Sequence, residues 1–75
     1  MSGLSKRSFT LSGHRTSVAL EPEFWDALST LAIGDGRSLA GLVAHIDSQR
    51  AGETAAKRPL ASALRVYALV RCREG

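Results

Sequence analysis

Apolar and polar residues alternate near the N-terminus in a pattern that predicts a β-strand. Residues 15–20 follow a period of two, which is typical of a strand with one buried face. Phe9 and Leu11 also alternate with polar residues, but they have odd numbers, whereas Val18 and Leu20 of the following strand have even numbers. Ser12 and Gly13 must therefore introduce a turn, a bulge or a break, and a hairpin within the chain is one possibility. One face of the strand carries Thr16, Val18 and Leu20, and the other carries Arg15, Ser17 and Ala19.

Two short amphipathic helices are predicted after the strand. Pro22 suits the first turn of a helix, and Gly34 and Gly36 supply the backbone geometry that a helix end commonly needs. Ser38 is a good N-cap for the second helix, although Gly41 stands where a capping box would have Glu or Gln. The apolar stripes are Phe24, Trp25, Leu28, Leu31 and Ala32 in the first helix and Leu39, Leu42, Val43 and Ile46 in the second.

The C-terminal part of the chain predicts a loop and a third helix. Its loop lacks periodicity and mixes Gly, Lys, Thr and small residues. The helix has an apolar stripe of Leu60, Ala63, Leu64, Tyr67 and Val70. The chain thus divides into a basic N-terminal arm or extra strand (1–13), a core of strand and two helices (14–50), a loop (51–59) and a C-terminal helix (60–73).

Length and cysteine content favour oligomerisation. At 75 residues the chain has room for one domain with a small core, which usually needs a disulfide, a metal or a partner. Cys72 is the only cysteine, so an internal disulfide is excluded. His14 and His45 match no zinc-ligand spacing, so no metal or other cofactor is expected. Without an apolar leader or a run of about 18 apolar residues, the chain is expected in the cytoplasm.

Positive charge is concentrated at the N-terminal end. The formal net charge is only +3, but the first 20 residues contain Lys6, Arg7 and Arg15 and no carboxylate. A concentrated positive surface favours a polyanion such as nucleic acid, and dimerisation would double it. A solvated basic tail is the alternative.

Three segments resemble the ribbon-helix-helix family: RTSVAL at 15–20, EPEFW at 21–25 and GRSL at 36–39. The resemblance covers about residues 14–50. The longer run GHRTSVALEPEFWDAL at 13–28, together with ALRVY at 63–67, is similar to a bacterial subgroup of short, mostly uncharacterised members. The expected fold class is α+β, mainly α: one strand pairs antiparallel across a homodimer, and two short helices and a C-terminal third helix follow.

The resemblance also implies a DNA-binding ribbon in the major groove. The outward residues Arg15, Ser17 and Ala19 would contact base edges, although Ala19 is shorter than the polar residue that many members have there. Phosphates would be held at the N-terminus of the second helix by Arg37, Ser38 and Leu39, and by Lys6 and Arg7 from a flexible arm. The dimer core would comprise Thr16, Val18, Leu20, Trp25, Leu28, Leu42, Val43 and Ile46.

Several functions remain open at this point. A dimeric, site-specific DNA binder that regulates transcription is expected, although Arg15 and Ser17 would also suit a merely solvated strand face. The alternative is an antitoxin-like adaptor whose residues 60–73 bind a partner protein; these residues could instead complete the core. Trp25 and Tyr67 have the helical spacing of core residues rather than base-stacking groups. No arrangement typical of catalysis is recognisable, so an enzyme is not expected.

Overall fold

A β-hairpin forms the N-terminal end of the molecule. The computed structural model describes residues 3–51 and 59–74. Strand β1 (Ser5–Leu11) pairs antiparallel with β2 (His14–Leu20). Ser12 and Gly13 between them have positive φ angles of 51° and 81°, as a two-residue type I′ turn requires. The sequence left a turn, a bulge or a break open at these two positions. The structure has a turn, which joins β1 and β2 in a hairpin within the chain.

The hairpin register explains why the buried positions are odd-numbered in β1 and even-numbered in β2. Phe9 lies opposite Thr16, and Leu11 lies opposite His14. Odd-numbered residues of β1 therefore share a face with even-numbered residues of β2, since directly paired residues point to the same side of a sheet. This shared inner face buries Phe9, Leu11, Val18 and Leu20.

Three helices follow the hairpin: α1 (Pro22–Gly34), α2 (Leu39–Ala51) and α3 (Leu60–Glu74). The α1 helix ends as its glycines predict. Gly36 has a φ of 72° and donates its N–H to the Ile33 carbonyl, while the Arg37 N–H donates to the Ala32 carbonyl. These two bonds form a Schellman motif, which satisfies carbonyls that the helix leaves unpaired. Of the predicted loop at 51–59, residues 52–58 lie outside the described residues.

The core lies where the inner face of the hairpin meets all three helices. Each helix contributes fully buried side chains, with Leu28 from α1, Leu42 from α2 and Leu64 from α3 all at 0% exposure. The residues predicted for the dimer core are already buried within one chain, except that Thr16 is half-buried. The third helix thus completes the core, as one of the open alternatives proposed. Its buried residues are Leu60, Leu64 and Ala68, whereas Val70 of the predicted stripe is 44% exposed.

Two ion pairs fix α3 onto the ends of α1. At the N-terminal end, the Arg65 Nε donates to the Glu21 carboxylate over 3.0 Å. At the C-terminal end, Arg71 pairs with both oxygens of Asp35, at 3.1 and 3.2 Å, and also donates to the Tyr67 hydroxyl. The hydrogen bonds from Arg71 lower the pKa of Asp35, and a backbone hydrogen bond followed by the Arg65 contact lowers that of Glu21. Each pair joins residues far apart in sequence.

The fold is therefore α+β and mainly helical, as expected, with a third helix after the first two. The strand was expected to pair across a homodimer, and in the single chain β2 already has a ladder partner in β1. Within the described residues the sheet has two strands, so one edge of each is unpaired by the chain itself. None of the described helices is long and apolar enough to cross a membrane.

Candidate nucleic-acid interface

The outer face of the hairpin gathers the side chains predicted to contact bases. The register forms three successive pairs on this face. All six side chains are exposed apart from Ala19, which is half-buried. The pairs are Thr10 with Arg15, Ser8 with Ser17, and Lys6 with Ala19. We call these six residues the outer ribbon face.

The structure thus brings Arg15, Ser17 and Ala19 onto one surface, and it adds β1 residues that the sequence analysis did not single out. Ser8 and Thr10 were missed because the pairing of residues 5–11 was left open. The opposite parity of Phe9 and Leu11 was the signal that could have revealed them, since a two-residue turn places Ser8 and Thr10 on the outward side.

Two hydroxyl groups lie at the centre of the outer ribbon face. The Oγ atoms of Ser8 and Ser17 are 3.1 Å apart and share a hydrogen bond. One of the two hydroxyl protons is used in this bond, so the other proton and the remaining lone pairs are available to a ligand. The pair can therefore donate and accept hydrogen bonds at once.

The charge of this face is positive. Lys6 and Arg15 occupy pairs at its two ends, and no carboxylate occurs in the first 20 residues. Such a surface attracts phosphates, because neutralising them releases condensed counterions. Exposed cations at both ends and hydroxyls between them can serve both to position a polyanion and to hydrogen-bond its polar groups.

Arg7 lies on the other face of the hairpin. Its guanidinium carbon is 5.2 Å from the centre of the Trp25 ring, which is the geometry of a cation–π contact. Both Lys6 and Arg7 belong to β1 rather than to a flexible arm, because the inner face of this strand packs on the core and its backbone is paired with β2. Alternation along the strand then separates two consecutive cations onto opposite faces.

The start of α2 has the predicted cap. The Gly41 N–H donates to the Ser38 Oγ over 3.0 Å, so Ser38 is the N-cap. A Cβ on Gly41 would lie 3.2 Å from that same oxygen, so the glycine leaves room for the cap. Arg37 is exposed beside it, and Leu39 is half-buried. The helix dipole and unpaired N–H groups make this end favourable for an anion.

Side chains that could bind a metal ion do not cluster in the described part of the chain. Residues 3–51 and 59–74 contain no cluster of three or more His, Cys, Asp or Glu side chains that could hold a metal ion. Cys72 is exposed near the end of α3. The residues predicted to bind DNA all lie in the hairpin and at the α2 N-terminus.

Comparisons with known proteins agree with this architecture. A solved structure of an uncharacterised protein from Bordetella pertussis Tohama I is similar, with a TM-score of 0.78 and 35% sequence identity over 95% of this chain. The matched region spans 57% of the length of the Bordetella protein. Curated proteins give no match. The family model of the ribbon-helix-helix domain matches residues 4–72, which include the hairpin and nearly all of α3. The chain belongs to the ribbon-helix-helix family.

Proposed function

We propose that this protein is a homodimeric, sequence-specific binder of double-stranded DNA that regulates transcription. The observation that carries the proposal is the outer ribbon face, which combines exposed cations and hydroxyl groups opposite an inner face that buries Phe9, Leu11, Val18 and Leu20. The major groove of B-form DNA is wide enough to admit a two-stranded β-ribbon. Family membership supports the same role. On this proposal the protein is a cytoplasmic binding protein, not an enzyme.

Each outward residue of β2 would make a different kind of contact with the bases. Arg15 can donate two parallel hydrogen bonds to the O6 and N7 atoms of guanine. Ser17 can donate to or accept from several bases, while Ala19 can contact only the methyl group of thymine. Arg37, Ser38 and the Leu39 N–H would bind phosphates and fix the register of the protein on the duplex.

Dimerisation would use the edge of β2 that residues 3–51 and 59–74 leave unpaired. An exposed strand edge presents a row of N–H and C=O groups that readily pair with another strand. Two copies of residues 15–20 in antiparallel pairing would place the two β2 strands at the centre of a four-stranded sheet. The outer ribbon faces would then be continuous, and the positive charge presented to DNA would double.

The proposal is tested by capturing sheared genomic DNA from the source organism with purified protein and sequencing what is retained. We expect enrichment of a short palindromic site, because a two-fold symmetric dimer recognises two equivalent half-sites. Arg15→Ala should abolish the enrichment, whereas Arg73→Ala, which removes the same charge from exposed α3, should preserve it. Failure to retain any duplex at low salt would contradict the proposal.

A second candidate function is a protein-interaction adaptor, and one observation favours it. Val66, Leu69 and Val70 of α3 are exposed apolar side chains. They recur at helical spacing, and Val66 and Val70 line a groove of about 260 Å³ between α2 and α3. Serine substitutions at these three positions should abolish binding to a partner protein and leave DNA binding intact, whereas Arg15→Ala should do the reverse.

A further inference from the structure

In one pair of the outer ribbon face, the β2 residue has no polar group and the β1 residue has one. Ala19 ends the series of outward side chains on β2 with a methyl group, which has no hydrogen-bonding capacity. Lys6 lies directly opposite on β1. Directly opposed Cβ atoms are about 5 Å apart, so the long lysine side chain can extend over the space that alanine leaves.

We propose that β1 takes part in DNA recognition, with Lys6 acting as a specificity-determining residue in place of Ala19. This inference rests on the proposed function and adds a second strand to the reading surface. An ammonium group has three donors on a flexible stem and can bond to guanine O6 or N7. Ser8 assists from the same strand, because its hydrogen bond restricts the Ser17 hydroxyl.

The spacing of the three pairs suits a reading surface. Lys6 and Arg15 lie in the first and last pairs, which are four residues apart along the strands. At a rise of about 3.3 Å per residue, this separation is about 13 Å. It corresponds to about four base-pair steps of B-form DNA. Each protomer therefore presents a cation at either end of the face, with the Ser8–Ser17 pair between them.

Arg7 is a matched control for Lys6. The two cations are consecutive in sequence and both are exposed, but they lie on opposite faces of β1. Replacing either one by glutamine removes one positive charge at almost the same place in the chain. If only the positive charge matters, both variants should lose the same DNA affinity. If Lys6 contacts a base, the loss of sequence preference should be confined to Lys6→Gln.

The experiment first selects preferred duplexes from a randomised library with the wild-type protein. Binding to a selected duplex and to an unrelated duplex is then measured for wild type, Lys6→Gln and Arg7→Gln. Lys6→Gln should weaken binding to the selected duplex by about tenfold, the effect of losing one base contact, and bind the unrelated duplex within about threefold of wild type. Arg7→Gln should lower both affinities by the same small factor.

A second variant tests whether the two strands share this position. In Lys6→Gln, the further change Ala19→Lys moves the ammonium across the hairpin to β2, and it should restore most of the preference for the selected duplex. Equal losses in Lys6→Gln and Arg7→Gln, or no restoration by Ala19→Lys, would overturn the role of Lys6 while leaving the proposed function intact. Selection of no duplex by the wild type would instead contradict the proposed function itself.

Discussion

The indole N–H of Trp25 donates a hydrogen bond to the backbone carbonyl of Ser5 over 2.8 Å. The contact joins the first helix to the first strand across 20 residues of sequence. Trp25 is 1% exposed, and its ring also lies 5.8 Å from that of Phe9. A tryptophan at the core thus satisfies its donor with the strand that covers it, and this holds β1 in the place where Lys6 faces outward.

Removal of this donor should loosen β1. We expect Trp25→Phe to lower the free energy of unfolding by about 1–3 kcal/mol, since the ring volume falls and the hydrogen bond is lost. Chemical denaturation measures the change in the free energy of unfolding. Amide hydrogen exchange should show the largest loss of protection in residues 5–11. Unchanged protection of these amides would show that the bond does not anchor the strand.

The role of α3 in the core can be separated from its exposed face by one pair of substitutions. Leu64 is fully buried, whereas Leu69 on the same helix is 54% exposed. Leu64→Ala should cost about 2–5 kcal/mol in unfolding free energy, because it removes buried methyl groups and leaves a cavity. Leu69→Ala should change stability by no more than about 0.5 kcal/mol. Equal effects in urea denaturation would mean that α3 does not complete the core.

The hairpin turn depends on backbone geometry at Gly13. A Cβ there would meet no described atom within 4 Å, so the cost of Gly13→Ala should come from its φ of 81° alone. We expect a loss of about 1–2 kcal/mol, the usual cost of the left-handed region for an L-residue. Gly34→Ala, at the end of α1 and without positive φ, should instead stabilise by up to about 1 kcal/mol. Thermal denaturation of both variants tests the difference in sign.

The pair between Asp35 and Arg71 should make stability depend on pH. Arg71 lowers the pKa of Asp35 in the folded protein below its ordinary value of 3.8. The stabilisation is therefore complete above that value and is lost as the pH falls through the lower, folded pKa. The difference in unfolding free energy between wild type and Asp35→Asn should shrink as the pH is lowered below about 4.

The difference in unfolding free energy between wild type and Arg71→Gln should shrink in the same way, but part of it should remain at low pH, because this change also removes the hydrogen bond to the Tyr67 hydroxyl. Adding Asp35→Asn to Arg71→Gln should have little further effect, because the ion pair is already lost. A difference between wild type and Asp35→Asn that stays constant from pH 7 to pH 2 would contradict this account.

Local patterns in the sequence account for much of the fold. The strand at 15–20, the end of α1 at its glycines and the Ser38 cap each follow from residues within a few positions of one another. Such features are local, so a single sequence contains the information that determines them. The third helix was also predicted, and Leu60 and Leu64 of its predicted stripe are buried. The stripe wrongly included the exposed Val70 and missed the buried Ala68.

Long-range contacts could not be predicted in the same way. The partner of β2 depends on whether the turn at Ser12 brings β1 back, and the sequence left a bulge or break equally open. The pairs that join Arg71 to Asp35 and Trp25 to Ser5 cross 36 and 20 residues, respectively. That Lys6 and Arg7 lie on opposite faces can be inferred only once β1 is known to be a strand. This assignment leaves Lys6 on the outer ribbon face and removes Arg7 from it.

Mapping a DNA complex onto the protein shows whether the outer ribbon face binds DNA. Uniformly ¹⁵N-labelled protein is titrated with a selected duplex, and the backbone amide shifts are followed by NMR. We expect the largest changes at Lys6, Ser8, Arg15 and Ser17, smaller changes at Arg37 and Ser38, and none along α3. Changes confined to α3, or no changes at low salt, would contradict a DNA-binding role for the outer ribbon face.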